Sequence, residues 1–215
     1  MEVTIIGAGN MGRGIGTRLV AGGNRLKILD NDPGEARKLA EELQAEAGDG
    51  GGAEGGAAGD PLSGDVVVLA VWFDGARAAL EQYGDQLEGK VVVDISNPVD
   101  VETFDGLVTP ADSSAAEELA KRAPRGARLV KAFNTTFART LVEGEVAGQS
   151  LDVFIAGEDE GAKGTVAELV RAAGLNPIDA GPLRRARELE RLGFLHMAIQ
   201  ESLGTEYGSA IKVIS

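Results

Sequence analysis

Apolar residues along this chain gather in short unbroken runs, among them "EVTII", "DVVVLAV" and "KVVVDI". The runs predict strands over Glu2–Ile6, Arg25–Leu29, Asp65–Val71, Lys90–Ile95, Arg128–Phe133, Leu151–Ala156 and Asn176–Asp179. Near-continuous apolar strands suit a parallel sheet covered on both faces. Helical patterns fall between them. Met11, Ile15 and Leu19 recur every four residues, and Gly22-Gly23 supplies a stop. Asp32 reads as an N-cap, with Pro33 at the first helical position and Glu35 closing a capping box. Ser114 and Glu117 repeat that signal before "ELAKRA", and "DEGAKGTVAELVRAAG" reads as an amphipathic helix ending at Gly174. Strands alternating with helices predict an α/β fold with a doubly wound, mostly parallel sheet.

One stretch breaks the alternation. From Gly48 to Gly59, seven of twelve residues are glycine, so a flexible surface connection is expected there rather than a third strand.

The first strand runs into Gly7, Gly9 and Gly12, spaced G-x-G-x-x-G, and the next residues open a helix. That context marks a Rossmann-type dinucleotide site. Gly7 permits a tight turn, Gly9 lets a pyrophosphate approach the backbone, and Gly12 lets the helix pack closely. Free N–H groups and the positive end of the helix dipole would face the phosphates. Asp30 ends the second strand, where an acid hydrogen-bonds the adenosine ribose and repels a 2′-phosphate. NAD(H) is therefore the expected cofactor, with NADP(H) the alternative. Asp32 reads as the helix cap alone. Ligands of open α/β sheets lie outside the carboxyl ends of the strands. Val71, Trp72 and Phe73 are candidates there, as are Ser96, Asn97 and Pro98, and Phe133, Asn134 and Thr135.

With 215 residues and 43% hydrophobic content, the chain can bury a core as one compact unit. We expect residues 1–130 to form the dinucleotide-binding core, and 131–215 to complete the sheet and cover the cleft. No apolar run approaches 18 residues and no leader pattern precedes "EVTIIGAG", so a cytoplasmic protein is expected. Cysteine is absent and there is one histidine, so no metal site is expected. A net charge of −13 argues against nucleic acid and anionic membranes as partners.

Acid–base equipment is sparse. His196 lies in the apolar "LGFLHMAIQ" and reads as a core residue, and Lys131 as a solvated or ion-paired one. No catalytic residue is assigned. Hydride transfer between two bound organic rings needs none, because distance and orientation carry the rate. Arg184, Arg187 and Arg191 share one helical face. They read either as a solvated face paired with Glu188 and Glu190, or as a site for a ligand's phosphate or carboxylate groups.

The segments "IIGAGNMG", "VVVDISNP", "SSAAEELA", "LVKAFNT", "DVFIAGED" and "PIDAGPL" run in order through the chain. Together they resemble the NADPH-dependent reductases of the deazaflavin coenzyme F-420, and the oxidoreductase domain of the STEAP metalloreductases. The resemblance implies a Rossmann-type domain with a small helical C-terminal portion, often a homodimer. It implies hydride transfer between a nicotinamide and coenzyme F-420 or a flavin such as FMN or FAD. Carried over by position, Gly7, Gly9, Asn10, Met11 and Gly12 would hold the pyrophosphate. Ala70, Val71, Trp72 and Asn97 would border the ribose and nicotinamide, and Asn134 and Thr135 would lie near the transfer face. Phe133, Arg187 and Arg191 are the acceptor-side candidates, Arg187 matching a family arginine. The chain departs from the family in two places. Asp30, Asn31 and Glu35 stand where NADP-using members carry Ser-Arg and a lysine shortly after to grip the 2′-phosphate, and Arg191 and Gly193 replace small hydroxyl residues. Other readings are an imine or hydroxy-acid reductase, whose starts also read "GAGNMG", and a dinucleotide sensor without turnover.

Overall fold

The computed structural model describes residues 1–214. In chain order the elements are β1 (Glu2–Ile6), α1 (Asn10–Ala21), β2 (Arg25–Asp30), α2 (Pro33–Ala45), β3 (Gly52–Ala57), β4 (Val66–Leu69), α3 (Phe73–Tyr83) and β5 (Val91–Asp94). Next come α4 (Ala115–Ala120), β6 (Arg128–Lys131), α5 (Ala138–Glu143), β7 (Glu145–Val146), β8 (Gln149–Ser150), β9 (Asp152–Gly157) and α6 (Glu160–Ala172). The chain then adds β10 (Asn176–Gly181), a 3-10 turn (Leu183–Arg185), α7 (Ala186–Ala198) and α8 (Gln200–Leu203).

Eight strands form one sheet in the order β10-β9-β6-β5-β4-β1-β2-β3. The six from β3 to β6 run parallel, β9 pairs antiparallel to β6, and β10 parallel to β9. From β1 the chain winds outward through β2 to β3, then returns to β4 on β1's other side. The crevice of a doubly wound sheet opens at that reversal. Val66–Leu69 and Val91–Asp94 are buried throughout, as expected of strands covered on both faces. One core layer packs Ile15, Leu19, Leu39, Leu43 and Leu169 on the sheet. The other packs Leu80, Tyr83, Leu119 and Leu183. Each such side chain, fully buried, contributes roughly 1.5–3 kcal/mol. Among the described residues, no helix is long and apolar enough to cross a membrane.

The glycine-rich stretch is not a flexible connection. Gly52–Ala57 is a parallel edge strand in register with Arg25–Asp30. Gly55 is a packing requirement: a Cβ there would lie 2.5 Å from backbone atoms of Ala36 and Arg37. Helix α2 therefore rests directly on the strand's backbone, which a β-branched residue would prevent. The capping box is also incomplete. Asp32 does cap α2, accepting from Gly34 N–H at 2.8 Å. Its own N–H goes to Asp30 Oδ1 at 3.0 Å, not to Glu35. The β7–β8 hairpin is a further element the apolar pattern does not disclose. It turns on Ala147 and Gly148, both at positive φ, as a two-residue primed turn demands.

Candidate functional site

The three glycines of the first turn do three different things. Gly7 sits at φ +112, and a Cβ there would lie 2.5 Å from the Ala70 carbonyl oxygen and 2.9 Å from Val71 Cγ1. The turn thus presses against the end of β4 as only glycine can. A Cβ on Gly12 would overlap the Gly7 carbonyl oxygen, so α1 packs on the turn without space for a side chain. Gly9 differs: its φ of −73 suits any residue, and a Cβ there would meet nothing within 4 Å. Among the described residues, nothing requires glycine at that position. The open space it faces borders the start of α1, which carries no side-chain cap and no acid in its first turn. A helix start of that kind offers unpaired N–H groups to an anion. Gly7, Gly9, Asn10, Met11 and Gly12 therefore fit a dinucleotide pyrophosphate.

Asp30 joins this loop from β2. Its Oδ2 accepts Ala8 N–H at 2.7 Å while Oδ1 accepts Asp32 N–H. The carboxylate braces the phosphate turn and the start of α2 at once. Half-buried at the rim, it keeps lone pairs for further donors. Asn31 beside it is exposed. Arg13, the cation in the first turns of α1, pairs with Glu42 of α2.

Val71 packs against Gly7 and Gly75, and Ala70 is buried. Trp72 does not serve as core: it precedes α3 at the N-cap position without a side-chain capping bond and is 60% exposed at this edge of the sheet.

At the tips of β5 and β6 a second group assembles. Asn97 Nδ2 donates to the Asn134 carbonyl at 2.7 Å, and Asn134 Nδ2 donates back to Asn97 Oδ1 at 2.9 Å and to the Leu189 carbonyl at 2.9 Å. Among the described residues, the buried Asn134 Oδ1 and Ser96 Oγ have no partner. Phe133 is buried at φ +62, a conformation few non-glycine residues adopt, which turns Asn134 and Thr135 away from the strand direction. Helix α7 covers the pair at Gly193, where a Cβ would lie 2.8 Å from the Asn134 carbonyl and from Asn97 Oδ1. The glycine that departs from the resembled family is thus a close-packing position.

Beneath these tips lies a buried ionic cluster. Lys131 Nζ donates to Asp94 Oδ2 at 2.7 Å, to the Ser96 carbonyl, and to Glu190 Oε1 at 2.8 Å. Glu190 also accepts Ala115 N–H at 2.8 Å and Ala116 N–H at 3.2 Å. Burial alone would lower the Lys131 pKa, but the two carboxylates outweigh it and hold the ammonium protonated. Burial pushes the Glu190 carboxyl up. Lys131 is therefore ion-paired and not solvated, and Glu190 is not a partner of the arginines. The sequence signal was present: a charged residue closes each of two apolar strands.

The arginines do not act as one open face. Arg184 lies in the 3-10 turn before α7. Arg187 makes a two-pronged contact with Glu117 at 2.7 and 2.6 Å, which holds that carboxyl below its usual range. Arg191 donates to the Ala111 carbonyl. His196 is buried, stacked on Phe137 with Nε2 2.9 Å from Ser209 Oγ, and burial lowers its pKa. It is a core residue, as its apolar setting suggests.

Residues 2–98 match a protein family described as coenzyme F420-dependent NADP oxidoreductases. The F420-dependent NADP reductase of Methanothermobacter thermautotrophicus is 31% identical over 200 residues, spanning 89% of this chain and 86% of that relative. The chain belongs to this family. The crystal structure of a candidate F420-dependent NADP-reductase from Arthrobacter sp. FB24 superimposes with a TM-score of 0.85 at 28% identity, covering 99% of both chains. Metalloreductase STEAP3 of Rattus norvegicus is 33% identical over 196 residues, which is 89% of this chain but only 36% of that protein. The F420-dependent NADP oxidoreductase family thus accounts for the doubly wound sheet and for the glycine turn within the matched region.

Proposed function

We propose that this member of the family transfers hydride between a nicotinamide dinucleotide and a deazaflavin (coenzyme F-420) or flavin (FMN or FAD) acceptor. The observation that carries the reading is Gly9. Its glycine has no conformational or packing cause within the protein, and it borders an uncapped helix start. The family relationship supports the redox chemistry. When bound, the nicotinamide supplies or receives the hydride.

The chain's own residues bind and orient. Backbone N–H groups from Gly7 to Gly12 take the pyrophosphate. Ala70, Val71, Trp72 and Asn97 border the ribose and nicotinamide, and Asn134 and Thr135 lie towards the transfer face beside Phe133. Arg187 and Arg191 stand on the helix whose Gly193 covers Asn97 and Asn134, and an anionic acceptor tail at that end would have to compete with Glu117 for Arg187 and with the Ala111 carbonyl for Arg191. No side chain is assigned a proton-transfer role. A cytoplasmic homodimer is part of the same reading.

Asp30 makes NAD(H) the preferred dinucleotide. A carboxylate accepts ribose hydroxyls but repels a 2′-phosphate, and the nearby Arg13 is already paired with Glu42. A charge contact of that kind corresponds to ~1–3 kcal/mol, or roughly 5- to 150-fold in kcat/KM. The test compares NADH with NADPH in the wild type and in Asp30→Ser/Asn31→Arg, with F-420, FMN and FAD each supplied as acceptor. The wild type should favour NADH and the variant NADPH. The ratio is the readout, because loss of the Ala8 brace weakens both cofactors together. Wild-type preference for NADPH would overturn the Asp30 reading. Failure of all three acceptors would overturn the acceptor class.

A further inference from the structure

The buried cluster of Asp94, Lys131 and Glu190 ties α7 and the start of α4 to the tips of β5 and β6, but fastening alone does not call for ionisable groups there. One ammonium faces two carboxyl groups, each 0–1% exposed, so with both ionised the cluster carries one excess negative charge inside the protein. Replacing such clusters with apolar side chains is commonly neutral or stabilising, so its position calls for a reason. Asp94 is in register with Leu69, the residue before Ala70, and Lys131 is in register with Asp94. Adjacent strands lie about 4.8 Å apart, so the cluster sits on the order of 10 Å from the crevice beside Ala70. Lys131 also holds the Ser96 carbonyl, next to Asn97.

We propose that this cluster places a fixed negative charge under the nicotinamide end of the site and so favours the oxidised dinucleotide over the reduced one. The inference rests on the dinucleotide reading above. The oxidised ring is cationic and the reduced ring neutral, and the rest of the two ligands is the same. A nearby buried charge therefore separates their affinities in a way that packing does not. In a medium of intermediate polarity, one charge at that range changes an equilibrium by roughly three- to tenfold. Asp94, Lys131 and Glu190 act at a distance and touch no reacting atom, so they tune the site and are not catalytic.

Dissociation constants for NAD+ and NADH, measured by calorimetry without any acceptor, test this directly. Glu190→Gln and Asp94→Asn each remove the excess charge from opposite sides of Lys131. Both should weaken NAD+ relative to NADH by about three- to tenfold. Glu190→Asp disturbs the same packing but keeps the charge, and should leave the ratio as in the wild type. An unchanged ratio in both neutral variants would overturn the proposal, as would an equal shift in Glu190→Asp. If one neutral variant does not fold, the other decides. A wild type that binds neither dinucleotide would instead defeat the underlying reading.

Discussion

At the scale of single residues, three glycines seven to twelve positions from the start look interchangeable in sequence but answer to different forces. Gly9→Val puts a branched side chain where a Cβ meets nothing within 4 Å among the described residues, at a backbone conformation valine tolerates. Dinucleotide affinity should fall by at least two orders of magnitude, about 2.7 kcal/mol or more, with the melting temperature unchanged. Gly7→Ala should do the opposite. Its Cβ meets the Ala70 carbonyl at 2.5 Å and its φ of +112 is strained for alanine, so stability should drop by roughly 1–3 kcal/mol. Calorimetry and thermal melts on the pair separate ligand space from packing. If Gly9→Val melts early, or binds as the wild type does, Gly9 does not mark the pyrophosphate.

At the scale of elements, β3 shows propensity overruled by a neighbour. Valine is the better strand former, yet Gly55→Val should cost about 1–3 kcal/mol. The reason is that α2 lies against the strand's backbone, with Ala36 and Arg37 atoms 2.5 Å from where a Cβ would go. Urea denaturation of the variant checks this, and a gain in stability would show that α2 can move away. The same contact explains why the strand was not legible. Glycine and alanine carry neither an apolar run nor an alternation, so the pattern that disclosed β1, β2, β4 and β5 is silent at Gly52–Ala57. Helix α7 is a related case. By spacing Arg184, Arg187 and Arg191 share a face, but Arg184 falls in the turn before the helix, and Glu117 and the Ala111 carbonyl, distant in sequence, decide where Arg187 and Arg191 point.

At the scale of the whole molecule, Lys212 and Val213 are clasped to the sheet. Asp152 at the start of β9 accepts Val213 N–H at 2.7 Å and Asn176 Nδ2 at 2.8 Å, and it pairs with Lys212. Burial alone would raise its pKa, but those partners outweigh burial and hold it low. A depressed carboxyl stabilises the fold fully above its unfolded pKa, near 3.8, and loses that contribution as pH falls through the lower folded value. Asp152→Asn should therefore cost about 1–3 kcal/mol near neutral pH. The gap to the wild type should narrow below about pH 3.8. Denaturation curves at both pH values test this, and a gap independent of pH would remove charge from the explanation.

Local chemistry determined much of this protein. Unbroken runs of valine and isoleucine can be buried only between two layers, so the strands of a doubly wound sheet were readable in order. The glycine turn was readable because its spacing, preceding strand and following helix are all contiguous in the chain. The cap at Asp32 and the helix ends at Gly22 and Gly174 were readable for the same reason. Tertiary structure decided what depends on partners far apart in sequence. It made an edge strand of Gly52–Ala57, turned Asp30 into a brace for Ala8, joined Asn97 to Asn134 beneath Gly193, and sank Glu190 against Lys131. Hydrophobic periodicity reports which faces are buried, but the partner of a polar or glycine residue is set by which backbones meet, and no local pattern records that.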